Sequence, residues 1–343
     1  MTKFCESRRS FLQTSFAAGT AAAYFFQDGN LRALEEQSRR SEEVFSETTF
    51  SLDGRRVRFY SKAITEPVKI LQFSDTHLYL DDERGEKYRD YSSRMAKAYN
   101  STRNYKNDAA TNPIEMFNQI IDEANSQNLD AIAMTGDIVS FPSAAGVDFI
   151  LERLSKLSTP SYYIAGNHDW HFEGLPGSSR DLRDEWIEKR LKPLYPSGVN
   201  PLAYAVKVKG VKLIFVDDST YEIMPEQLEF IKKELSSMEP SILFMHIPLY
   251  APGRSVGFGV GHPNWNASTD GNYKIERRPQ WPAEGHTETT YAFRQEALKA
   301  VNVLGVFAGH IHVQSLDICQ GKPLLVAPAG IDGSAITIEV LPM

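Results

Sequence analysis

Five apolar runs in this chain each stop on aspartate, asparagine or histidine, and that repetition limits the folds open to it. Residues 68–73 run into Ser74-Asp75-Thr76-His77, 129–134 into Thr135-Gly136-Asp137, and 161–165 into Gly166-Asn167-His168-Asp169. Residues 241–245 run into His246, and 303–308 into Gly309-His310-Ile311-His312. Their β-branched and aromatic content reads as strands. Any one block could be a plain turn, since Gly, Asn and Asp all favour turns. Yet five of the chain's eight histidines fall in these blocks, which scattered surface polarity does not explain. In layered α/β proteins, ligand sites collect at the carboxyl ends of strands. The fold is therefore expected to bring these five ends together.

The segments between the runs support a layered α/β fold. Asn112-Pro113 opens a helix, with a capping residue and proline at the first helical position. Ile114, Phe117, Ile120, Ile121 and Ala124 make its apolar face. Residues 145–157 read as a second helix, so the order is β–α–β–α–β, which calls for parallel strands and right-handed crossovers. Further helices are expected over 180–191, 225–237 and 291–300. Apolar alternation around Asp53-Gly54, and two runs meeting at Lys209-Gly210, read as hairpins. Residues 314–340 read as short strands. Residues 79–111 and 248–289 show no period. The first interleaves tyrosines with arginines and lysines, and reads either as a phosphate-attracting lid or as a solvated, partly helical excursion. One domain is expected over 49–343: two sheets flanked by helices.

In their order and spacing, Asp75-x-His77, Gly136-Asp137, Gly166-Asn167-His168-Asp169, His246 and Gly309-His310-x-His312 resemble the signature of the calcineurin-like metallophosphoesterases. The resemblance implies the family fold, a four-layer α/β/β/α sandwich. It also implies a dinuclear metal-dependent hydrolase acting on a small phosphate mono- or diester. Asp75, His77 and His312 would hold one divalent ion and Asn167, His246 and His310 the other, with Asp137 bridging. His168 would contact the substrate phosphate and protonate the leaving oxygen, and Asp169 would orient and charge-stabilise His168. Two divalent ions roughly 3.5–4 Å apart offset the charge of the phosphate oxygens and lower the pKa of a bound water toward ~7, which makes the attacking hydroxide. Donors of this kind accept Mn, Fe, Zn or Co. In Asp75-x-His77 and His310-x-His312, alternate residues point the same way if the backbone stays extended. One departure is informative. Purple acid phosphatases carry a tyrosine three residues after the Gly-Asp aspartate, and here that position is Ser140. The iron–tyrosinate ligand is missing, and the chain looks like the non-purple branch, as does His246-Ile247-Pro248-Leu249.

The amino terminus reads separately. Arg8-Arg9-Ser10-Phe11-Leu12 precedes an apolar stretch over 16–26 that is too short and weak for a membrane span. Residues 1–26 look like a twin-arginine export signal, with 27–48 as a linker or surface helix. The expected location is periplasmic or extracellular, and the export machinery is an expected partner. Cleavage would remove Lys3, Arg8 and Arg9 with Glu6, a net +2, taking the formal charge from −7 to −9. An acidic chain without a basic stripe disfavours long nucleic acid and so a nuclease. The other alternative is a non-catalytic phosphate- or metal-binding protein on the same fold, against which the full ligand set and His168 weigh. Cys5 and Cys319 make no disulfide framework. Of the remaining residues, His171, His262 and His286 read as exposed loop histidines, and Arg254, Arg277 and Arg278 as solvated. Trp170, Trp265 and Trp281 could line a pocket or cap a core edge, and Asp217-Asp218 reads as a turn or cap.

Overall fold

The apolar runs are strands, and they divide between two six-stranded sheets. The computed structural model describes residues 43–45, 47–278 and 281–343. The export signal expected over 1–26, with residues 27–42 and 46 of the expected linker, lies outside them. Residues 48–343 cluster as one unit. Its strands are β1 (Thr49–Asp53), β2 (Arg56–Ser61), β3 (Val68–Phe73), β4 (Thr102–Arg103), β5 (Ala110–Thr111), β6 (Ala131–Thr135), β7 (Ser161–Ile164), β8 (Ala203–Val208), β9 (Val211–Val216), β10 (Ser241–Phe244), β11 (Val303–Ala308), β12 (Ser315–Cys319), β13 (Lys322–Val326) and β14 (Ile336–Pro342). Its helices are α1 (Arg89–Ala98), α2 (Pro113–Asn125), α3 (Ala144–Leu154), α4 (Ser179–Trp186), α5 (Pro225–Leu235), α6 (Gly271–Ile275) and α7 (Glu288–Lys299).

The first sheet runs β1-β2-β14-β3-β6-β7, and the second β12-β13-β11-β10-β9-β8. β3, β6 and β7 are mutually parallel, as are β9, β10, β11 and β13. The crossovers bury the helices on the sheets. Asn112 caps α2 by accepting the Glu115 N–H, and Pro113 follows it. The buried stripe of α2 is Met116, Phe117, Ile120, Ile121 and Ala124. Ile114, expected on that face, keeps the helical spacing but is only half-buried in the first turn, and Met116 is buried as well. Phe117 packs edge-on against Phe73 of β3, ring centroids 5.9 Å apart. On the other sheet, Ile231 and Leu235 of α5 and Phe293 and Ala297 of α7 cover Ile214 and Leu243.

The sheets meet through aromatic rings. Phe307 of β11 packs edge-on against Phe59 of β2, with centroids 6.1 Å apart. Gly305 keeps this seam closed, because a Cβ there would stand 2.8 Å from the Phe59 ring. Burial of each such ring is worth about 1.5–3 kcal/mol. Tyr204 crosses from β8, accepting the Tyr163 N–H and donating to the Tyr163 carbonyl. At the end of the sandwich where the parallel strands begin, tight turns at Lys209-Gly210 and Gln320-Gly321 close the β8–β9 and β12–β13 hairpins. There Lys209 Nζ pairs with Asp130 Oδ1 across the sheets at 2.7 Å.

The two aperiodic stretches are not structureless. Residues 79–111 contain a 3-10 turn, α1 and a small β4–β5 hairpin. Arg84, Arg103 and Lys106 are already paired with Asp82, Asp108 and Glu123, so this stretch is chiefly the surface excursion; α1 nonetheless sends Arg94 and Tyr99 toward the site. His171 and His262 are buried instead of exposed, and Trp170 and Trp265 are core side chains. Arg278, read as solvated, is buried as well. Among the described residues, no helix is long and apolar enough to cross a membrane.

Candidate metal centre

The five blocks converge at the carboxyl ends of β3, β6 and β7 in one sheet and of β10 and β11 in the other. They do not converge through strand alternation. Asp75 (φ 56°), His77 (48°), Asp137 (51°), His310 (73°) and His312 (58°) all lie in the left-handed region. Each such conformation costs a non-glycine residue about 1–3 kcal/mol and persists only where the surroundings impose it. The expectation that Asp75 and His77, or His310 and His312, point alike from extended backbone is thus corrected: each pair is turned inward by two left-handed residues flanking one ordinary residue. Main-chain bonds hold the turns. Asp75 N–H donates to the Gly136 carbonyl and His77 N–H to the Asp137 carbonyl, at 2.9 and 3.0 Å. Ser140 donates to the His77 carbonyl at 2.8 Å, so the residue standing where purple acid phosphatases have tyrosine serves the loop.

Glycines let the loops close. A Cβ on Gly309 would stand 1.9 Å from Ser74 Oγ and 2.5 Å from Asp75 Oδ2. One on Gly166 would stand 2.3 Å from Asp137 Oδ1.

The donors form two clusters. Asp75, His77 and His312 bring one ligand atom each within 4.8 Å of one another, and Asp137, His246 and His310 do the same. His77 Nε2 and His312 Nε2 face each other at 3.0 Å, and His312 Nε2 lies 3.4 Å from Asp75 Oδ1. His246 Nε2 lies 3.1 Å from Asn167 Oδ1 and 3.2 Å from Asp137 Oδ2. His246 Nδ1 donates to the Thr135 carbonyl at 2.8 Å, which leaves the lone pair on the nitrogen that faces Asn167 and Asp137. His310 Nε2 contacts the Tyr221 hydroxyl at 2.8 Å and the Gly257 carbonyl at 3.2 Å, leaving its other nitrogen for the centre. Asp218, at the end of β9, fixes the His246 loop by accepting the His246 and Ile247 amides. Imidazoles crowded against carboxylates, nitrogen facing nitrogen, with the second nitrogens of His246 and His310 anchored outward, fit two divalent cations. His77 Nδ1 is buried without a hydrogen-bond partner.

His168 lies against both clusters: one of its ring nitrogens comes within 4.8 Å of ligand atoms of His77 and Asp137. Its imidazole is buried, and its Nε2 lies 3.7 Å from Glu276 Oε1. Burial pulls its pKa down, but the Asp137 and Glu276 carboxylates outweigh that and hold it up at about 9. Glu276 is a residue that sequence reading missed. Arg278 donates to its Oε2 at 2.7 Å, and burial of this carboxyl is overcome by Arg278 and His168, so its pKa is lowered. Asp169, expected to orient His168, does not touch the ring. Its carboxylate accepts backbone N–H groups from Gly166 (2.7 Å), Asp137 (2.9 Å) and Val139 (2.9 Å), tying the loop after β7 to the loop after β6. The reason is direction: the turn after Gly166 sends His168 outward and Asp169 back beneath the loops. Tyr99 stacks on His77, with centroids 4.0 Å apart and planes 5° from parallel.

The model of the calcineurin-like phosphoesterase family matches residues 68–314. The chain belongs to that family. As a calcineurin-like phosphoesterase it is a hydrolase, and its two sheets with flanking helices are the family's fold. A probable cyclic nucleotide phosphodiesterase of Psychrobacter sp. (strain PRwf-1) is 25% identical over 287 residues, covering 76% of this chain and 75% of the relative. Among solved structures, a dimetal phosphatase from Danio rerio superposes with a TM-score of 0.50 at 12% identity, covering 79% of this chain and 92% of that one. A purple acid phosphatase from yellow lupin (Lupinus luteus) seeds gives 0.48 at 14% identity, covering 82% and 48%.

Proposed function

We propose that this phosphoesterase works with two divalent cations, held by Asp75, His77 and His312 on one side and by Asn167, His246 and His310 on the other, with Asp137 reaching both. The observation that carries the reading is the strain. Five of the seven proposed ligands adopt left-handed backbone, which persists where the surroundings impose it and here turns their side chains to one place. When bound, the cations would set positive charge against the phosphate oxygens and acidify water to react near neutral pH. The chain's own residues do the rest. Asp218, Ser140, Thr135 and Tyr221 hold the ligands in place. His168, beside Glu276, would give a proton from Nε2 to the leaving oxygen as the ester bond breaks. The name of the Psychrobacter relative makes a cyclic nucleotide the first ester to try.

The proton-donor role predicts a dependence on the leaving group. His168→Ala, assayed with two metals bound, should lose ~10²–10⁴-fold on an alkyl phosphate ester. It should lose far less on a p-nitrophenyl ester, whose leaving group needs no proton. Equal losses on both would leave His168 a phosphate-binding role only, and loss of metal would make it a ligand.

We also propose that residues 1–26 direct export by the twin-arginine route to the periplasm or beyond. Arg8→Lys with Arg9→Lys should hold unprocessed protein in the cytoplasm, as read by cell fractionation. Normal export of that variant would remove the proposal.

A further inference from the structure

A cavity of about 410 Å3 opens over the proposed metal centre, and the second aperiodic stretch supplies part of its wall, including Phe258, Asn272 and Glu276. Besides Asp137, two carboxylates line it, and they differ in how they are neutralised. Glu173 takes a two-pronged contact from Arg94, Nε and Nη2 each 2.5 Å from an oxygen, and Arg94 itself lines the cavity. Whatever enters meets that pair as a neutral unit. Glu276 is bound by Arg278, whose side chain is wholly buried and which is not on the cavity wall. The cavity therefore meets the Glu276 carboxylate directly, with Arg278 behind it and His168 beside it. Both of its oxygens lie 3.5 Å from Asn167 Nδ2, and Oε1 lies 3.7 Å from His168 Nε2.

That position is unfavourable for a doubly charged phosphate. A phosphoryl group whose leaving oxygen reaches His168 Nε2 comes close to the Glu276 carboxylate, which lies 3.7 Å from that nitrogen. A phosphomonoester, with a second pKa of roughly 6, carries two charges on three oxygens at neutral pH. A phosphodiester carries one charge on two oxygens and can turn an ester arm toward the carboxylate; a hydroxyl on that arm would donate to Oε1. At contact distance and in a half-enclosed site, one extra like charge is a large term. We propose that Glu276 is a specificity-determining residue, a charge gate that makes this phosphoesterase prefer monoanionic phosphodiesters to dianionic phosphomonoesters. This rests on the proposed metal centre and on His168 facing the leaving oxygen.

The test is Glu276→Gln, which keeps size and hydrogen bonding and removes the charge. In the metal-loaded protein, kcat/KM is measured for bis(p-nitrophenyl) phosphate and p-nitrophenyl phosphate, and metal content is counted. Binding of inorganic phosphate and of dimethyl phosphate is measured by calorimetry. The gate predicts that the wild type favours the diester and that the variant shifts the diester-to-monoester ratio toward the monoester on the order of tenfold. Inorganic phosphate should bind the variant about tenfold more tightly, and dimethyl phosphate no more than twofold differently. An equal loss on both esters with unchanged phosphate affinity would overturn the gate and leave Glu276 a positioning residue for His168. Loss of metal from the variant would overturn it too, by making Glu276 a ligand. A wild type that hydrolyses neither ester would count against the hydrolase reading, while the phosphate titration would still decide the gate.

Discussion

At the scale of single residues, the division of labour between His168 and Asp169 is the sharpest result. Adjacent in sequence, they face opposite ways: one toward the cavity, the other toward three backbone amides. An amide side chain cannot serve three N–H donors as a carboxylate does. Asp169→Asn should therefore lower the melting free energy by about 1.5–3 kcal/mol and weaken metal retention, as read by calorimetry and metal analysis. His168→Ala should leave both nearly unchanged; if the two variants behaved alike, the separation would be wrong. The seven proposed ligands stand out in the sequence because each sits at a strand end and in a fixed order, with glycine at the Asp137, Asn167 and His310 blocks. Asp169's role was not, because a four-residue turn does not disclose which of its side chains faces the solvent. Glu276 was illegible for another reason. It lies in a stretch without periodicity, and only folding brings it beside His168, 108 residues earlier in the chain.

At the scale of elements, hairpins and crossover helices followed the sequence closely, because Asp53-Gly54, Lys209-Gly210 and the Asn112-Pro113 cap each act locally. The left-handed strand ends did not, since they are imposed by contacts between loops of different strands. Lys322, at the start of β13, is another non-local case. Its ammonium donates to the Ala300 carbonyl at 2.7 Å and to that of Val303, closing the turn between α7 and β11. Burial pushes its pKa down to about 8. Between that value and 10.5 the unfolded chain binds the proton and the folded chain does not, so folding strengthens as pH rises through this window. Relative to Lys322→Met, the wild type should gain roughly 3 kcal/mol from pH 8 to 10.5. Denaturant melts of both proteins at several pH values check this; a flat difference would mean the lysine titrates normally when folded.

At the scale of the whole molecule, the centre joins the sheets. Asp75, His77, Asp137 and Asn167 come from one, and His246, His310 and His312 from the other. Cations bound there act only on the folded state, so they stabilise by mass action, about 2.7 kcal/mol when free metal stands at 100 times its dissociation constant. Stripping with a chelator should lower the melting temperature by several degrees, and Mn, Fe, Zn or Co should restore it to differing extents. A melting point indifferent to all four would argue against a centre that bridges the sheets. The layered α/β fold was readable from the alternation of elements, but the pairing of β14 between β2 and β3 was not, because it joins residues far apart in the chain. The opposite end of the sandwich carries a practical consequence. Gly210 and Gly321 sit in turns at that end with open space around them, and each holds a left-handed backbone (φ 83° and 77°), so an addition there keeps the glycine and extends the turn beside it. Those two turns are where a fluorophore, an affinity handle or a new pair of chain ends can be placed, giving a reporter whose optical signal comes from one pole while its chemistry runs undisturbed at the other.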